Sequence, residues 1–220
     1  GEHAMSTLDK TERTTLNRLP ERGAFDFNSI TEILDAMPMC HVAYLLHGKP
    51  AIVPTLQWRE DDRVYWHGST GANSHLKGKD DEVCLNVCLF DGLVLARSAF
   101  HHSANYRSVT IFGKPEQVLD HDEKHMRLKN FVDGLYPGRW DKLRPIKDKE
   151  LRATSLLSLP ITEASAKVRT GPPADAEEDY AYDVWAGVLP INTLFGDAEA
   201  DQFTSDEVER PAYLSNRSIG

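Results

Sequence analysis

Short runs rich in β-branched and aromatic residues alternate with turn signals along most of the chain. Such runs are typical of strands, and the turn-forming segments His47–Pro50 and Asp91–Gly92 separate neighbouring runs as hairpin turns would. The predicted strands cover residues 40–46, 51–58, 63–67, 82–90, 93–100, 106–112, 116–119, 154–159 and 184–191. Short strands joined by short turns favour an antiparallel barrel over a doubly wound parallel sheet.

Three segments interrupt this pattern with helical signals. Ser29 followed by Glu32 is a capping-box pattern that predicts a helix over 30–37. A longer helix is predicted over 122–135, where apolar residues recur at helical spacing, and a short one over 72–77. The sequence therefore predicts a mainly β, α+β fold: an antiparallel, Greek-key-like barrel with a few peripheral helices.

The length of 220 residues fits one domain with two ends of different character. Residues 1–17 are interpreted as the remnant of an expression tag, Gly1–Met5, followed by a polar, flexible arm. The domain is expected over 18–195, and an acidic, mobile tail over 196–220.

The net charge of −9 comes entirely from the C-terminal part of the chain. Eleven acidic and two basic side chains follow Pro172, which leaves 23 of each sign before it. This balance argues against a nucleic-acid groove, and no run approaches the roughly 18 apolar residues of a membrane span. The cysteines Cys40, Cys84 and Cys88 lie in apolar runs, as buried free thiols do in a reducing compartment, so we expect a cytoplasmic protein without a metal site.

The segment from Val64 to Lys77 carries the first candidate binding chemistry. It has the pattern of a strand, a turn with glycines and hydroxyls, and a helix start. A helix N-terminus presents free N–H groups that suit a phosphate. An N-capped polar turn without a ligand explains the same pattern equally well.

The segment from Asp91 to Val109 is the second candidate, because two arginines, two adjacent histidines and several hydroxyls lie beside apolar strands. Such a density of polar groups suits a pocket on a rigid scaffold. A solvated loop between strand-edge arginines is the alternative.

Several blocks resemble the bacterial pyridoxamine 5′-phosphate oxidase-like family, in the branch that includes the nitroimidazole-resistance proteins. The most specific is the run from Ser98 to Val109. The other similar blocks follow in family order between about residues 18 and 191: Arg22-Gly23, Ile33–Asp35, the strand with Pro54, His67–Thr70, Pro137–Trp140, Lys167–Pro173 and Val184–Pro190.

The resemblance implies an FMN-binding split β-barrel that forms a homodimer, with two flavin sites at the subunit interface and a small-molecule substrate. Carried over residue by residue, it assigns Val53, Pro54 and Thr55 to the isoalloxazine ring. It assigns Ser69, Thr70, Ser74 and His75 to the phosphate, and Tyr106, Arg107 and Ser108 to the pocket wall. Trp185 would approach from the partner subunit, and Arg169 would be a second anion contact.

This sequence departs from the family at His75, where many relatives have arginine. A histidine offers a single, pH-dependent bond to a phosphate where arginine offers two, so either FMN is bound more weakly or Lys77 compensates. The arginine- and lysine-rich signatures of true pyridoxamine-phosphate oxidases are not complete here.

The resemblance implies an FMN-dependent oxidoreductase first. A non-catalytic flavin- or haem-binding protein is the alternative, and oxidation of pyridoxamine phosphate is a third hypothesis. His101 and His102 are candidate substrate or haem ligands, although ordinary loop histidines fit the pattern better. His121 and His125, four residues apart on the predicted helix, fit a solvated face better than a metal site.

Overall fold

The computed structural model describes residues 6–69 and 81–220, and within them the chain is dominated by antiparallel strands. The strands are β1 (Gly23–Ala24), β2 (Met39–Leu46), β3 (Lys49–Glu60), β4 (Arg63–Ser69), β5 (Val83–Leu95), β6 (Ser103–Gly113), β7 (Glu116–Gln117), β8 (Thr154–Pro160), β9 (Glu163–Arg169), β10 (Gly187–Pro190), β11 (Thr193–Leu194) and β12 (Ser218–Ile219). The helices are α1 (Phe27–Ala36), α2 (His121–Leu135) and α3 (Asp148–Ala153), and short 3-10 turns lie between the elements. No helix within the described residues is long and apolar enough to cross a membrane.

The main sheet has the strand order β1-β9-β6-β5-β2-β3-β4-β8-β7, with β10 paired to β5. Strand β3 connects the two parts of this sheet, because its first part pairs with β2 and its last four residues pair with β4. All of these pairings are antiparallel. The fold is a split β-barrel with peripheral helices, as the sequence predicted.

The core lies on one face of the sheet, beneath α1. Along β5, from Val83 to Leu89, every second side chain is apolar and buried, which is the period-2 pattern of a strand with one face covered. Val109 and Ile111 of β6 and Ala164 and Ala166 of β9 continue this buried face. Helix α1 closes this core with one apolar stripe. Among the described residues, the largest fully buried side chains are Trp66, Ile30, Leu34, Leu85, Ile111, Leu151, Leu156, Leu157, Leu159, Val42, Val64 and Val87.

Helix α1 begins earlier than the capping-box prediction placed it. Asp26, three residues before Ser29, is the N-cap, and its carboxylate accepts a hydrogen bond of 2.9 Å from the Ser29 N–H. The earlier start adds Phe27 to the buried stripe of the helix. Burial of this aromatic ring explains why the Ser29–Glu32 pattern was the wrong start.

The turn predicted at Asp91–Gly92 is a β-bulge inside one long strand, β5. Gly92 allows this because a Cβ there would lie 2.9 Å from the carbonyl oxygen of Leu189 on β10. The glycine thus serves the close approach of a second strand rather than a reversal of the chain. Strand β9 and helix α3 were not predicted, since neither has strong periodicity.

Both ends of the described chain pack onto the domain. Arg13 forms ion pairs with Glu82 and Glu163. At the other end, β12 pairs with β11, Ile219 packs against the core, and the Tyr213 hydroxyl accepts a hydrogen bond of 3.1 Å from Arg139.

Candidate functional site

The sheet forks between β3 and β4, and this fork is the candidate site. The two strands pair only from Gln57 with Trp66 to Glu60 with Arg63. Beyond Gln57, residues 49–56 stay with β2, whereas residues 67–69 of β4 stay with β8. No described strand covers the inner edges of the two arms. We call this cleft, bounded by residues 53–56 and 67–69 and closed at Gln57 and Trp66, the fork.

Gln57 lies at the closed end of the fork and is 3% exposed. Its side-chain amide donates hydrogen bonds of 2.7 Å to the carbonyl oxygens of Leu34 and Met37 at the end of α1. Both N–H groups of the amide are thereby used. Its carbonyl oxygen, Oε1, is buried and has no hydrogen-bond partner among the described residues, which is unusual for a buried polar atom.

The three residues assigned to the flavin ring form one arm of the fork. Val53 and Thr55 point to the same face as Gln57, and Pro54 points to the opposite face, because side chains alternate along a strand. Val53 is 39% exposed although its partner on β2, Val42, is fully buried. The fork therefore opens to solvent at Val53 and narrows toward Gln57.

His67 begins the other arm, inside a group of aromatic rings. Its ring centroid lies 5.1 Å from that of Phe131 on α2 and 6.2 Å from that of Trp58. Burial lowers the pKa of His67 below its usual 6.5, so the ring is neutral at neutral pH. His67 thus packs against α2 on the face of the sheet opposite to Gln57 and brings no positive charge to this arm.

The predicted phosphate contacts follow His67 along the chain. Ser69 is the last residue of β4, and its backbone lies opposite Thr154 of β8. Thr70, Ser74, His75 and Lys77, together with the helix predicted over 72–77, lie outside the described residues.

The predicted pocket wall on β6 divides between two faces of the sheet. Tyr106 and Ser108 point away from the core, whereas Arg107 points to the core face, opposite Leu89. Arg107 forms two hydrogen bonds of 2.8 Å with the carboxylate of Asp91. These bonds raise the pKa of Arg107 above its ordinary value. The run of three residues thus cannot line one face of a pocket within a single chain.

Strand β6 is also far from the fork within one chain. The register links Val53 through Val42 and Leu85 to Ile111, which is three strand spacings or about 14 Å. Tyr106 and Ser108 lie further along β6. The sequence-predicted residues therefore form two separate groups in one chain.

Arg169 is 8% exposed and binds neutral oxygens. It donates to the side chain of Asn105 and, at 3.1 Å each, to the carbonyl oxygens of Gly171 and Pro172. Burial, with a smaller effect from the charge of Arg22, lowers the pKa of Arg169 below its ordinary value. The contacts show that this guanidinium fixes the 171–172 loop.

Trp185 is 67% exposed and belongs to a wider set of exposed apolar side chains. It precedes β10 and its ring lies over Gly187, where a Cβ would be 2.9 Å from the indole. Other members of the set lie on β3, β5 and β10: Ile52, Phe90, Leu93 and Leu189 are 65%, 50%, 44% and 57% exposed. Leu93 and Leu189 are direct neighbours across β5 and β10.

The two adjacent histidines are held by one serine. The Nδ1 of His101 is 2.6 Å from the Ser98 hydroxyl oxygen, and the Nδ1 of His102 is 2.9 Å from the Ser98 carbonyl oxygen. His101 also lies near Asp175 and Asp179, and one ligand atom from each of the three residues falls within 4.8 Å of the others. However, the Asp175 carboxylate already accepts bonds from the backbone N–H and guanidinium of Arg97.

The sequence reasoning missed Gln57 and the Arg97–Asp175 contact. A polar residue in an otherwise apolar stretch, Leu56-Gln57-Trp58, was the only available signal for Gln57. Asp175 lies 78 residues from Arg97 and gives no local pattern.

The comparisons with known proteins identify the family of the chain. The sequence profile of the pyridoxamine 5′-phosphate oxidase family matches residues 26–168, which is more than half of the chain. The chain belongs to this family. A search of curated proteins finds no match.

Two solved structures of the family's fold resemble the chain over nearly its whole length. The flavocytochrome Anf3 from Azotobacter vinelandii is 45% identical, with a TM-score of 0.89, covering 93% of this chain and 95% of Anf3. A FAD and haem binding protein from Mycobacterium smegmatis is 34% identical, with a TM-score of 0.83, covering 88% of this chain and 95% of that protein.

A third structure extends the likeness of the fold. It is a candidate 5-nitroimidazole antibiotic resistance protein from Bacteroides thetaiotaomicron, 23% identical with a TM-score of 0.56, covering 66% of this chain and 86% of the other. The structural relatives thus include proteins named for flavin and for haem.

Proposed function

We propose that the chain is a flavin-binding oxidoreductase that uses FMN to act on a small molecule. The observation that carries the proposal is the fork, where β3 and β4 separate, no described strand covers the edges between them, and Ser69, the first predicted phosphate contact, ends one arm. A flavin, when bound, supplies hydride and single-electron transfer. The chain's own residues bind and orient it.

The residues of the fork fit an isoalloxazine ring. Val53 provides apolar surface for a flat ring, and His67, whose pKa is lowered by burial, places no charge at the start of the other arm. The unpartnered Oε1 of Gln57 is an acceptor without a donor at the closed end. Ser69 to Lys77 would then hold the phosphate at the open end.

We further propose a cytoplasmic homodimer. The exposed apolar side chains on β3, β5 and β10 support a subunit interface, since exposed apolar surface is typical of protein–protein interaction sites. A second subunit would also bring the group on β6 and Trp185 to a site that one chain leaves incomplete.

A titration with FMN tests the phosphate placement. Replacing both Ser69 and His75 by alanine should weaken FMN binding at least tenfold, or about 1.4 kcal/mol, as measured by quenching of flavin fluorescence. Replacing Ser205 and His47, which lie outside the proposed site, should leave the affinity unchanged. Equal affinities of the double variant and the wild type would refute the placement.

A flavin- and haem-binding protein without turnover is the second candidate. It is favoured by the two relatives above 30% identity, one named a flavocytochrome and the other a FAD and haem binding protein. A Soret band in the purified protein, together with binding of FAD in preference to FMN, would favour this candidate. Sustained oxidation of NAD(P)H by the flavin-loaded protein would exclude a role without turnover.

A further inference from the structure

We propose that Gln57 recognises the imide edge of the bound flavin by accepting a hydrogen bond from the flavin N3–H. This inference rests on the proposed flavin site and adds to it a residue that discriminates between ligands. It begins with the buried Oε1 atom, which has no partner among the described residues.

The orientation of the Gln57 amide is fixed by its surroundings. Its nitrogen lies 2.7 Å from two carbonyl oxygens, those of Leu34 and Met37. A carbonyl oxygen can only accept a hydrogen bond, so the nitrogen must be the atom that faces α1. The remaining atom, Oε1, is therefore an acceptor, and leaving a buried acceptor unpaired is unfavourable.

The position of Gln57 connects this acceptor to the fork. Gln57 shares its face of β3 with Thr55 and Val53, whose exposure increases away from it. A flat ligand that enters between the two strand edges at Val53 reaches Gln57 at the closed end. The pair Gln57–Trp66 then limits how far it can go.

The backbone beside Gln57 offers a matching donor. The Gln57 N–H is bonded to the Pro38 carbonyl on the β2 side at 2.8 Å. Since the hydrogen-bonding groups of a strand alternate between its edges, the N–H of Leu56 faces the uncovered edge. Pro54, the next residue with that orientation, has no N–H. The closed end thus presents one donor and one acceptor, the complement of the O=C–N–H edge of an imide.

The ligand class follows from this pairing. N3–H is the only N–H of the oxidised isoalloxazine ring, and it lies between two carbonyl groups. FMN and FAD share this edge, so Gln57 would recognise either flavin. A flavin methylated at N3 keeps the ring and the phosphate but loses the donor.

The experiment compares FMN with 3-methyl-FMN by fluorescence titration of the wild type and of Gln57→Met. The wild type should bind 3-methyl-FMN at least tenfold more weakly than FMN. In Gln57→Met the two affinities should agree within about twofold. Loosening of α1 in the variant would affect both ligands alike and would leave their ratio unchanged. Gln117→Met, on β7, is the matched control and should keep the wild-type ratio.

Two results would overturn the inference. If the wild type binds FMN and 3-methyl-FMN equally, Oε1 does not accept a hydrogen bond from N3–H, and a trapped water satisfies it instead. If the ratio is the same in the wild type and Gln57→Met, N3 lies elsewhere. In both cases the flavin site itself stands. Failure to bind either flavin would refute the proposed function together with the role of Gln57.

Discussion

Replacing Glu60 by glutamine should loosen α2 from the barrel, because this carboxylate joins the two. One oxygen of Glu60 accepts the indole N–H of Trp58 at 2.9 Å. The other accepts hydrogen bonds from Arg127 at 2.5 Å and Asn130 at 2.9 Å, both on α2. The Glu60 and Arg127 side chains are only 16% and 22% exposed, so water replaces these bonds poorly.

The size of the effect follows from these contacts. A glutamine has one acceptor oxygen, so its NH₂ group must face either Trp58 or the two donors on α2. At least one shielded hydrogen bond is lost, and a bond to a charged group contributes about 1.5–3 kcal/mol. We therefore expect Glu60→Gln to lower the free energy of unfolding by about 2 kcal/mol and Tm by about 4–8 °C for a chain of this length.

Urea titration and thermal melting followed by circular dichroism would measure this loss. Glu123→Gln is the matched control, since Glu123 contacts the same Arg127 at 3.4 Å but is 42% exposed. An exposed pair of this kind should contribute less than about 0.5 kcal/mol. Equal losses in the two variants, or a loss below 0.5 kcal/mol for Glu60→Gln, would refute the reasoning.

Two other predictions concern the fork and the proposed interface. Burial lowers the pKa of His67 in the folded chain, so the unfolded chain takes up the proton first as the pH falls below about 6.5. The free energy of unfolding should therefore decrease between pH 7.5 and 5.5. Urea titrations at these two pH values should show a smaller decrease for His67→Gln than for the wild type. An equally large decrease in the variant would assign the effect to other groups. Ile52→Asp should convert a dimer into a monomer of 24.7 kDa by light scattering. Leu119→Asp should not, because Leu119, 76% exposed against 65% for Ile52, lies outside the exposed apolar side chains of β3, β5 and β10. A wild type that is already monomeric would contradict the proposed interface.

Local pattern was sufficient for most of the fold. The period-2 alternation of β5 and β6 and the helical spacing of Leu128 and Phe131 are set by burial of one face, so they are visible in the sequence. The Asp91–Gly92 pair was misread as a turn because the glycine is required by the close approach of β10, a strand about a hundred residues away along the chain. Strand β9 was missed because small residues such as Ala164 and Ala166 fill its core face.

The site could be predicted only in part, since it depends on where strands separate. Val53, Pro54 and Thr55 were correctly placed on one strand, but the fork is a property of the register between β3 and β4. Arg107 is a different case: the strand predicted over 106–112 already implies that its side chain points away from those of its neighbours Tyr106 and Ser108. Gln57 could not be recognised from the sequence, because its missing partner is evident only once the end of α1 is in place.

The measurement that tests the central claim most directly is the visible absorption spectrum of the purified protein after incubation with FMN and gel filtration. The flavin site proposed at the fork predicts flavin bands that elute with the protein, in a ratio of about one flavin per chain. Loss of all flavin from the protein peak, with FAD as well as FMN, would contradict a flavin site at the fork.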